Sequence, residues 1–257
     1  MNNQNHQSPS ILFIDSGVGG LTTLSETTKI LEAMYIYFAD NKFAPYGNKS
    51  DDFLKSRLSY IISSLSRKFN FSIVVLACNT ATTTSISFLR KKFPRLLFVG
   101  TEPAIKTIKE KNYNHPALIA TPQTINHLNK NLTNNILLIP LKNFASQIEN
   151  HISSNTPQSR LALIKTIFSL KYKIRNCDCL ILGCTHYSVF RDKLSKILNT
   201  PIIDGNHGVA KQICRLFQKK RPPNSSFKII LSDKNKNSLQ NYKKILRQIL
   251  ANQINLC

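Results

Sequence analysis

The 257-residue chain is predicted to be an α/β protein with mainly parallel sheets. Three observations predict this. Short apolar runs alternate along the chain with longer amphipathic ones. The runs are apolar throughout rather than alternating, as strands buried on both faces require. The polar segments that carry chemistry follow directly after such runs, at the carboxyl ends of strands, where open parallel sheets form their sites.

In chain order the strand candidates are ILFI (11–14), YIYF (35–38), IVVLA (73–77), LLFV (96–99), ALIA (117–120), ILLI (136–139), CLIL (179–182) and PII (201–203). Between residues 53 and 69, Leu54, Leu58, Ile61, Ile62, Leu65 and Phe69 recur at helical spacing, which predicts a helix between two strands. A boundary is expected near Gly100-Thr101-Glu102-Pro103. The tail after Pro222-Pro223 is polar and rich in Lys and Asn, with one strand candidate, FKIIL, and a last helix.

With 42% apolar and 19% charged residues the chain reads as globular, with material for one large or two smaller cores. The start, MNNQNHQSPS, has no basic segment leading into an apolar one, and no run approaches the ~18 apolar residues of a membrane span, so a cytoplasmic location is expected. In that setting the six cysteines (78, 177, 179, 184, 214 and 257) are expected to be reduced. Lys and Arg total 35 against 13 Asp and Glu, a net charge of +22. The excess is spread over RKKFPR, KEK, KYKIR, QKKR and SDKNKN without a zinc-finger, RRM or homeodomain pattern. Drift toward Lys, Asn and Ile accounts for it, and no specific nucleic-acid partner is expected.

FIDSGVGGLT (13–22) places glycines between a strand and a helix, but the spacing is neither a P-loop nor G-x-G-x-x-G. A tight turn accounts for the glycines. Asp15 at the strand end reads either as a cleft carboxylate or, with Ser16, as a helix cap. FAPYG (43–47) predicts a bent loop around Tyr46 and Gly47.

The cysteines separate into two kinds. Cys177, Cys179, Cys214 and Cys257 read as buried structural thiols. Cys78 in LACNTAT and Cys184 in LGCTHYS end apolar runs and are followed by Asn79-Thr80 and Thr185-His186. These hydroxyl, amide and imidazole groups suit steadying a thiolate or binding a carboxylate. A metal site lacks C-x-x-C spacing, and a Cys-His hydrolase leaves one cysteine motif unused. Two thiols in matched positions suit proton removal from one face of a carbon acid and delivery to the other, since a thiol of pKa roughly 8.5 serves as base and as acid near neutrality.

DSGVGG, PYG, ACNTAT and GCTHY occur in this order over residues 11–210, and together they resemble glutamate racemase, a cofactor-independent member of the aspartate/glutamate racemase superfamily. The resemblance implies two α/β domains, residues 10–100 with 208–257 and residues 101–207, with the active site in the cleft between them. It makes Cys78 and Cys184 the paired acid/base residues, Cys78 acting on D-glutamate and Cys184 on L-glutamate. Asp15 and His186 tune them. Asp15, Ser16, Tyr46, Gly47, Asn79, Thr80, Thr121, Thr185 and His186 line the substrate site. Thr124 lies in the same ATPQTI segment as Thr121, whose role is contact with a substrate carboxylate. The product, D-glutamate, is a peptidoglycan precursor, implying a bacterial cytoplasm. No cofactor, metal or membrane is implied, and a homodimer stays open.

The chain departs from the family pattern at three places. Ser188 stands where proline is usual, at an expected helix start. Pro140-Leu141 is followed by Lys142-Asn143 where many members carry a glutamate, so the expectation is that this acid is lost. Asp204-Gly205-Asn206-His207-Gly208 is altered and receives no role. Two other readings remain: an aspartate racemase using the same thiols, and a basic binding protein descended from the enzyme.

Overall fold

A computed structural model describes residues 10–128, 133, 135–217, 225–233 and 236–251, with the side chains of residues 109, 236 and 237 outside the description. Cys257, the QKKR segment and Pro222-Pro223 fall outside the described residues.

Among the described residues nine strands form two sheets whose strand pairs are all parallel. The first sheet holds β1 (Ser10–Asp15), β2 (Met34–Ala39), β3 (Phe71–Leu76), β4 (Leu97–Gly100) and β9 (Ser226–Leu231), in the order β4-β3-β1-β2-β9. The second holds β5 (Pro116–Ala120), β6 (Leu137–Pro140), β7 (Cys179–Gly183) and β8 (Ile202–Ile203), in the order β6-β5-β7-β8. Every strand candidate appears within a residue or two of its expected place. The weak FKIIL run becomes β9, pairing with β2 from Met34↔Ser226 to Ala39↔Leu231.

The helices are α1 (Gly20–Thr28), α2 (Asp51–Ser66), α3 (Asn79–Lys92), α4 (Ile105–Glu110), α5 (Pro122–Asn126), α6 (Phe144–Ser154), α7 (Pro157–Lys173), α8 (Thr185–Ser188), α9 (Arg191–Leu198), α10 (Asn206–Leu216) and α11 (Lys236–Leu250). Helix α2 starts two residues before the expected periodicity because Ser50 caps it, accepting from the Phe53 N–H at 3.3 Å, with Asp51 and Asp52 in the first turn complementing the dipole. Its Leu54, Leu58, Ile61, Ile62 and Leu65 are buried against one face of the first sheet, and α1, α10 and α11 cover the other.

The strand orders fix where a site forms. In the first sheet the chain leaves β1 toward β2 on one side and leaves β3 toward β4 on the other, so the connections diverge at the β1/β3 ends. In the second sheet β5 leads to β6 and β7 to β8, and the divergence falls at the β5/β7 ends. Such switch points leave a crevice at the carboxyl ends of the strands. The β1/β3 crevice holds Asp15 and Cys78, and the β5/β7 crevice holds Thr121 and Cys184.

Candidate active site

Cys78 and Cys184 occupy equivalent places on the two sheets. Cys78 follows β3 and precedes α3 at φ −136°, ψ 122°; Cys184 follows β7 and precedes α8 at φ −149°, ψ 130°. Both are extended residues at the turn from strand to helix, and both are buried. Each thiol thus sits at the amino end of a helix, where unpaired N–H groups favour negative charge.

The glycines of FIDSGVGGLT serve a purpose beyond the turn. None of the described glycines has positive φ, so backbone conformation does not demand them. Space does: a Cβ on Gly17 would lie 2.7 Å from Glu149 Oε2 and 2.8 Å from His186 Nε2, and one on Gly19 would collide with the His186 backbone nitrogen. The loop after β1 is the surface onto which α8 docks. Helix α1 starts at Gly20 with Gly19 as its cap, which overturns the capping role for Asp15 and Ser16. Asp15 Oδ1 instead accepts from the Gly17 N–H at 2.6 Å, while Oδ2 accepts from the Thr185 hydroxyl at 3.1 Å.

No acid follows Pro140-Leu141, yet an acid from another position stands beside the second cysteine's histidine. Lys142 and Asn143 are exposed ahead of α6, but Glu149, farther along that helix, accepts from His186 Nε2 at 2.8 Å. The Val18 N–H (3.4 Å) and the Tyr242 hydroxyl (3.0 Å) also donate to Glu149. The strand ending in Pro140-Leu141 still contributes, because the Leu141 carbonyl accepts from Tyr187 of the GCTHY segment at 3.3 Å.

Burial pushes the Asp15 carboxyl up; the His186 charge and the Gly17 N–H oppose it, and the result is about 6. Burial, then the Asp15 charge, pushes the Cys78 thiol well up, against the N–H of Ala81 and the hydroxyl of Ser16. Burial acts to lower His186, but hydrogen bonds to Cys184 and Glu149 and the charges of Glu149 and Asp15 hold the imidazolium well above its ordinary range. Burial raises Glu149, and His186, Val18 and Tyr242 outweigh it, leaving the carboxyl below its ordinary value. At neutral pH this gives a thiol at Cys78 beside an ionised Asp15, and an imidazolium–carboxylate pair beside Cys184.

The remaining site residues fall into two groups. Ser16, Asn79, Thr80, Thr121 and Thr185 are buried around the two crevices. The hydroxyls of Thr80, Thr121 and Thr124 form a triangle of 3.0 to 3.1 Å edges joining α3 to the β5–α5 turn. Gly47 packs against Thr121, where a Cβ would meet the threonine Cβ at 2.9 Å. The Tyr46 hydroxyl donates to Asp40 at 2.8 Å, and Asp40 also accepts from Arg57 Nε at 2.8 Å and Nη2 at 2.6 Å.

Asp204–Gly208 has a structural purpose that the sequence did not disclose. Asn206 accepts from the Thr23 hydroxyl at 2.7 Å and donates to Thr22 at 3.1 Å, pinning α10 to α1. Ser188 ends the one-turn α8 rather than starting a helix. Cys179 is fully buried in β7 as expected, whereas Cys177 and Cys214 are half-buried, Cys177 in the turn before β7 and Cys214 on α10. None of the described cysteines is in a disulfide, and no group of three His, Cys, Asp or Glu among the described residues is placed to hold a metal ion. No helix among the described residues is long and apolar enough to cross a membrane.

Residues 20–213 match the model of the Asp/Glu/hydantoin racemase family. The chain is 32% identical over 250 residues to a glutamate racemase of Clostridium botulinum, covering 91% of this chain and 95% of that one. It is 36% identical over 218 residues to one of Clostridium kluyveri, covering 80% and 83%. The crystal structure of Escherichia coli glutamate racemase in complex with L-glutamate and the activator UDP-MurNAc-Ala superposes at a TM-score of 0.77 and 26% identity, over 95% of this chain and 96% of that one. By its matched strand-end cysteines, its two parallel sheets and these similarities over nearly its whole length, the chain belongs to the Asp/Glu/hydantoin racemase family and is an amino-acid racemase, an isomerase.

Proposed function

We propose that this racemase interconverts L- and D-glutamate by exchanging the Cα proton between Cys78 and Cys184, without a cofactor. The observation that carries the proposal is the pair of cysteines at equivalent strand ends of two facing sheets, one beside Asp15 and the other beside His186–Glu149. In the L-to-D direction Cys184, as thiolate beside the His186 imidazolium, takes the α-proton, and the Cys78 thiol gives its own proton to the opposite face and is left as thiolate. In the D-to-L direction Asp15 draws the proton from Cys78, Cys78 takes the α-proton, and His186 resupplies Cys184. The flanking groups thereby reset the two thiols without either proton crossing the substrate.

The α-carboxylate carries the charge that grows as the α-carbon is deprotonated, and preorganised donors there lower the barrier. Ser16, Asn79 and Thr185 would hold it, a role supported by their burial around the two crevices, with the N-terminal N–H groups of α3 favouring the anion. The triangle of Thr80, Thr121 and Thr124 supplies hydroxyl donors for the side-chain carboxylate. Residues 10–100 with 208–257 and residues 101–207 act as the two domains, a division supported by the membership of the two sheets.

Glutamate is favoured over aspartate by the names of the relatives at 32–36% identity. A binding protein that has lost the enzyme's acid loses its motive, since Glu149 supplies an acid to His186. D-Glutamate made in the cytoplasm would feed peptidoglycan synthesis. Chiral chromatography of the products from L-glutamate and L-aspartate, with purified protein, tests the activity. D-glutamate formation with little D-aspartate supports the proposal, and turnover of aspartate alone overturns it. Rescue of a D-glutamate auxotroph by the expressed chain tests the cellular role.

A further inference from the structure

The last helix, α11, reads in sequence as a surface helix with one apolar face: Leu239, Tyr242, Ile245, Leu246 and Ile249 recur at helical spacing and pack into the core between α1 and the first sheet. A phenylalanine at position 242 would fill that core as well as a tyrosine does. The tyrosine hydroxyl, however, has a specific partner. Tyr242 is 5% exposed, and its hydroxyl donates to Glu149 Oε1 at 3.0 Å. Glu149 belongs to α6 beside the second sheet, and its other oxygen, Oε2, holds His186 at 2.8 Å. A chain of contacts thus runs from the C-terminal helix through Glu149 and His186 to Cys184.

We infer that Tyr242 is a positioning residue of the racemase, fixing the Glu149 carboxylate against His186 so that the C-terminal helix governs the protonation of the imidazole beside Cys184. The inference rests on the proposed exchange at Cys184.

Glu149 keeps 26% of its side chain exposed and has alternatives in water, so its aim is set by its donors. Among the described residues these are the His186 ring, the Val18 N–H at the longer distance of 3.4 Å, and Tyr242, which holds Oε1. Without the Tyr242 donor the carboxylate is free to turn toward water, and the lost alignment weakens its hold on the imidazolium. The charged and titratable groups facing His186 are Glu149 on α6, Asp15 at the end of β1 and Cys184 at the start of its own helix. Tyr37 on β2 lies within electrostatic reach of Asp15, Glu149, Tyr242 and Cys78. Tyr242 contributes a dipole rather than a charge, because burial and then the Glu149 charge keep its hydroxyl protonated well beyond the ordinary tyrosine range.

Tyr242→Phe preserves the ring and removes only the donor. The expected result is a folded protein whose kcat falls roughly three- to thirtyfold with KM little changed, and whose alkaline limb in kcat/KM moves down by about half a pH unit or more. The change in kcat/KM must be equal in the two directions, because the equilibrium constant between enantiomers is one. Glu149→Gln should be more severe, and the double variant no worse than Glu149→Gln alone, since both act along one chain of contacts. A wild-type pH profile in Tyr242→Phe, or losses that add fully to those of Glu149→Gln, would reduce Tyr242 to a packing residue. NMR titration of the His186 ring nitrogens in wild type and Tyr242→Phe needs no substrate. A lower midpoint in the variant supports the inference and an unchanged one overturns it, even if glutamate proves not to be the substrate.

Discussion

Thr185 donates its hydroxyl to Asp15 at 3.1 Å, joining the helix after β7 to the end of β1 across 170 positions of sequence. This bond places the carboxylate of one sheet at the helix that carries the thiol of the other. With its carboxyl raised to about 6, Asp15 is ionised at neutral pH, the form in which the proposed exchange has it take a proton from Cys78. The acid limb of kcat/KM is therefore expected near pH 6, and Asp15→Asn should lower kcat by about a hundredfold or more.

Asp15 also makes a stability prediction whose sign follows from its shift. The folded carboxyl lies above its unfolded value of 3.8, so the folded state holds the extra proton between about pH 4 and pH 6. Stability on this account falls as pH rises through that window. Asp15→Asn removes the loss: its Tm should exceed that of wild type at pH 7.5, with the advantage closing below about pH 4. Thermal melts at the two pH values decide it, and an advantage that grows in acid would contradict the assignment.

The two thiols should be separately indispensable. Cys78→Ala and Cys184→Ala are each expected to abolish racemisation in both directions while leaving the fold intact, because each direction uses both groups. In D2O the product enantiomer should gain deuterium at Cα on first formation while recovered substrate carries little. Near-wild-type turnover in either folded variant would refute the two-thiol exchange.

His186→Asn should remove the group that resupplies Cys184 and leave Glu149 with one fewer donor. A fall in kcat of about ten- to a hundredfold is expected, with loss of the alkaline limb attributable to the imidazolium. An unchanged pH profile would assign His186 to packing alone.

Two glycines give a contrasting pair. Gly17→Ala forces a methyl group to within 2.7 Å of Glu149 and should cost about 1–3 kcal/mol as well as activity. Gly208, inside α10, has nothing within 4 Å of the position of an added Cβ, so Gly208→Ala should stabilise by about 0.5–1 kcal/mol and leave turnover unchanged. Denaturant unfolding of both variants, beside their kinetics, checks the contrast.

If each proton transfer uses a thiol, as proposed, activity should persist in EDTA and in hydroxylamine. Inhibition by chelation that zinc reverses would require a different mechanism.

What the sequence determined by itself was the set of strands, their parallel sense and the places of the two cysteines. A strand buried on both faces must be apolar throughout, so ILFI, IVVLA, ALIA and CLIL declare themselves within a few residues, and the polar residues that follow mark the strand mouths. The tertiary structure alone decided which side chains meet there. Glu149 follows Ile148 on α6 and has the pattern of a solvated position, because helical periodicity records only burial against the helix's own sheet. Its partners Val18 and Tyr242 reach it because the two sheets dock, over separations of 131 and 93 residues, and His186 reaches it from 37 residues away on the same side. Gly17 and Gly19 looked like turn glycines for the same reason: the groups that leave no room for a Cβ there belong to α6 and α8, which only the docking of the two sheets brings to the end of β1.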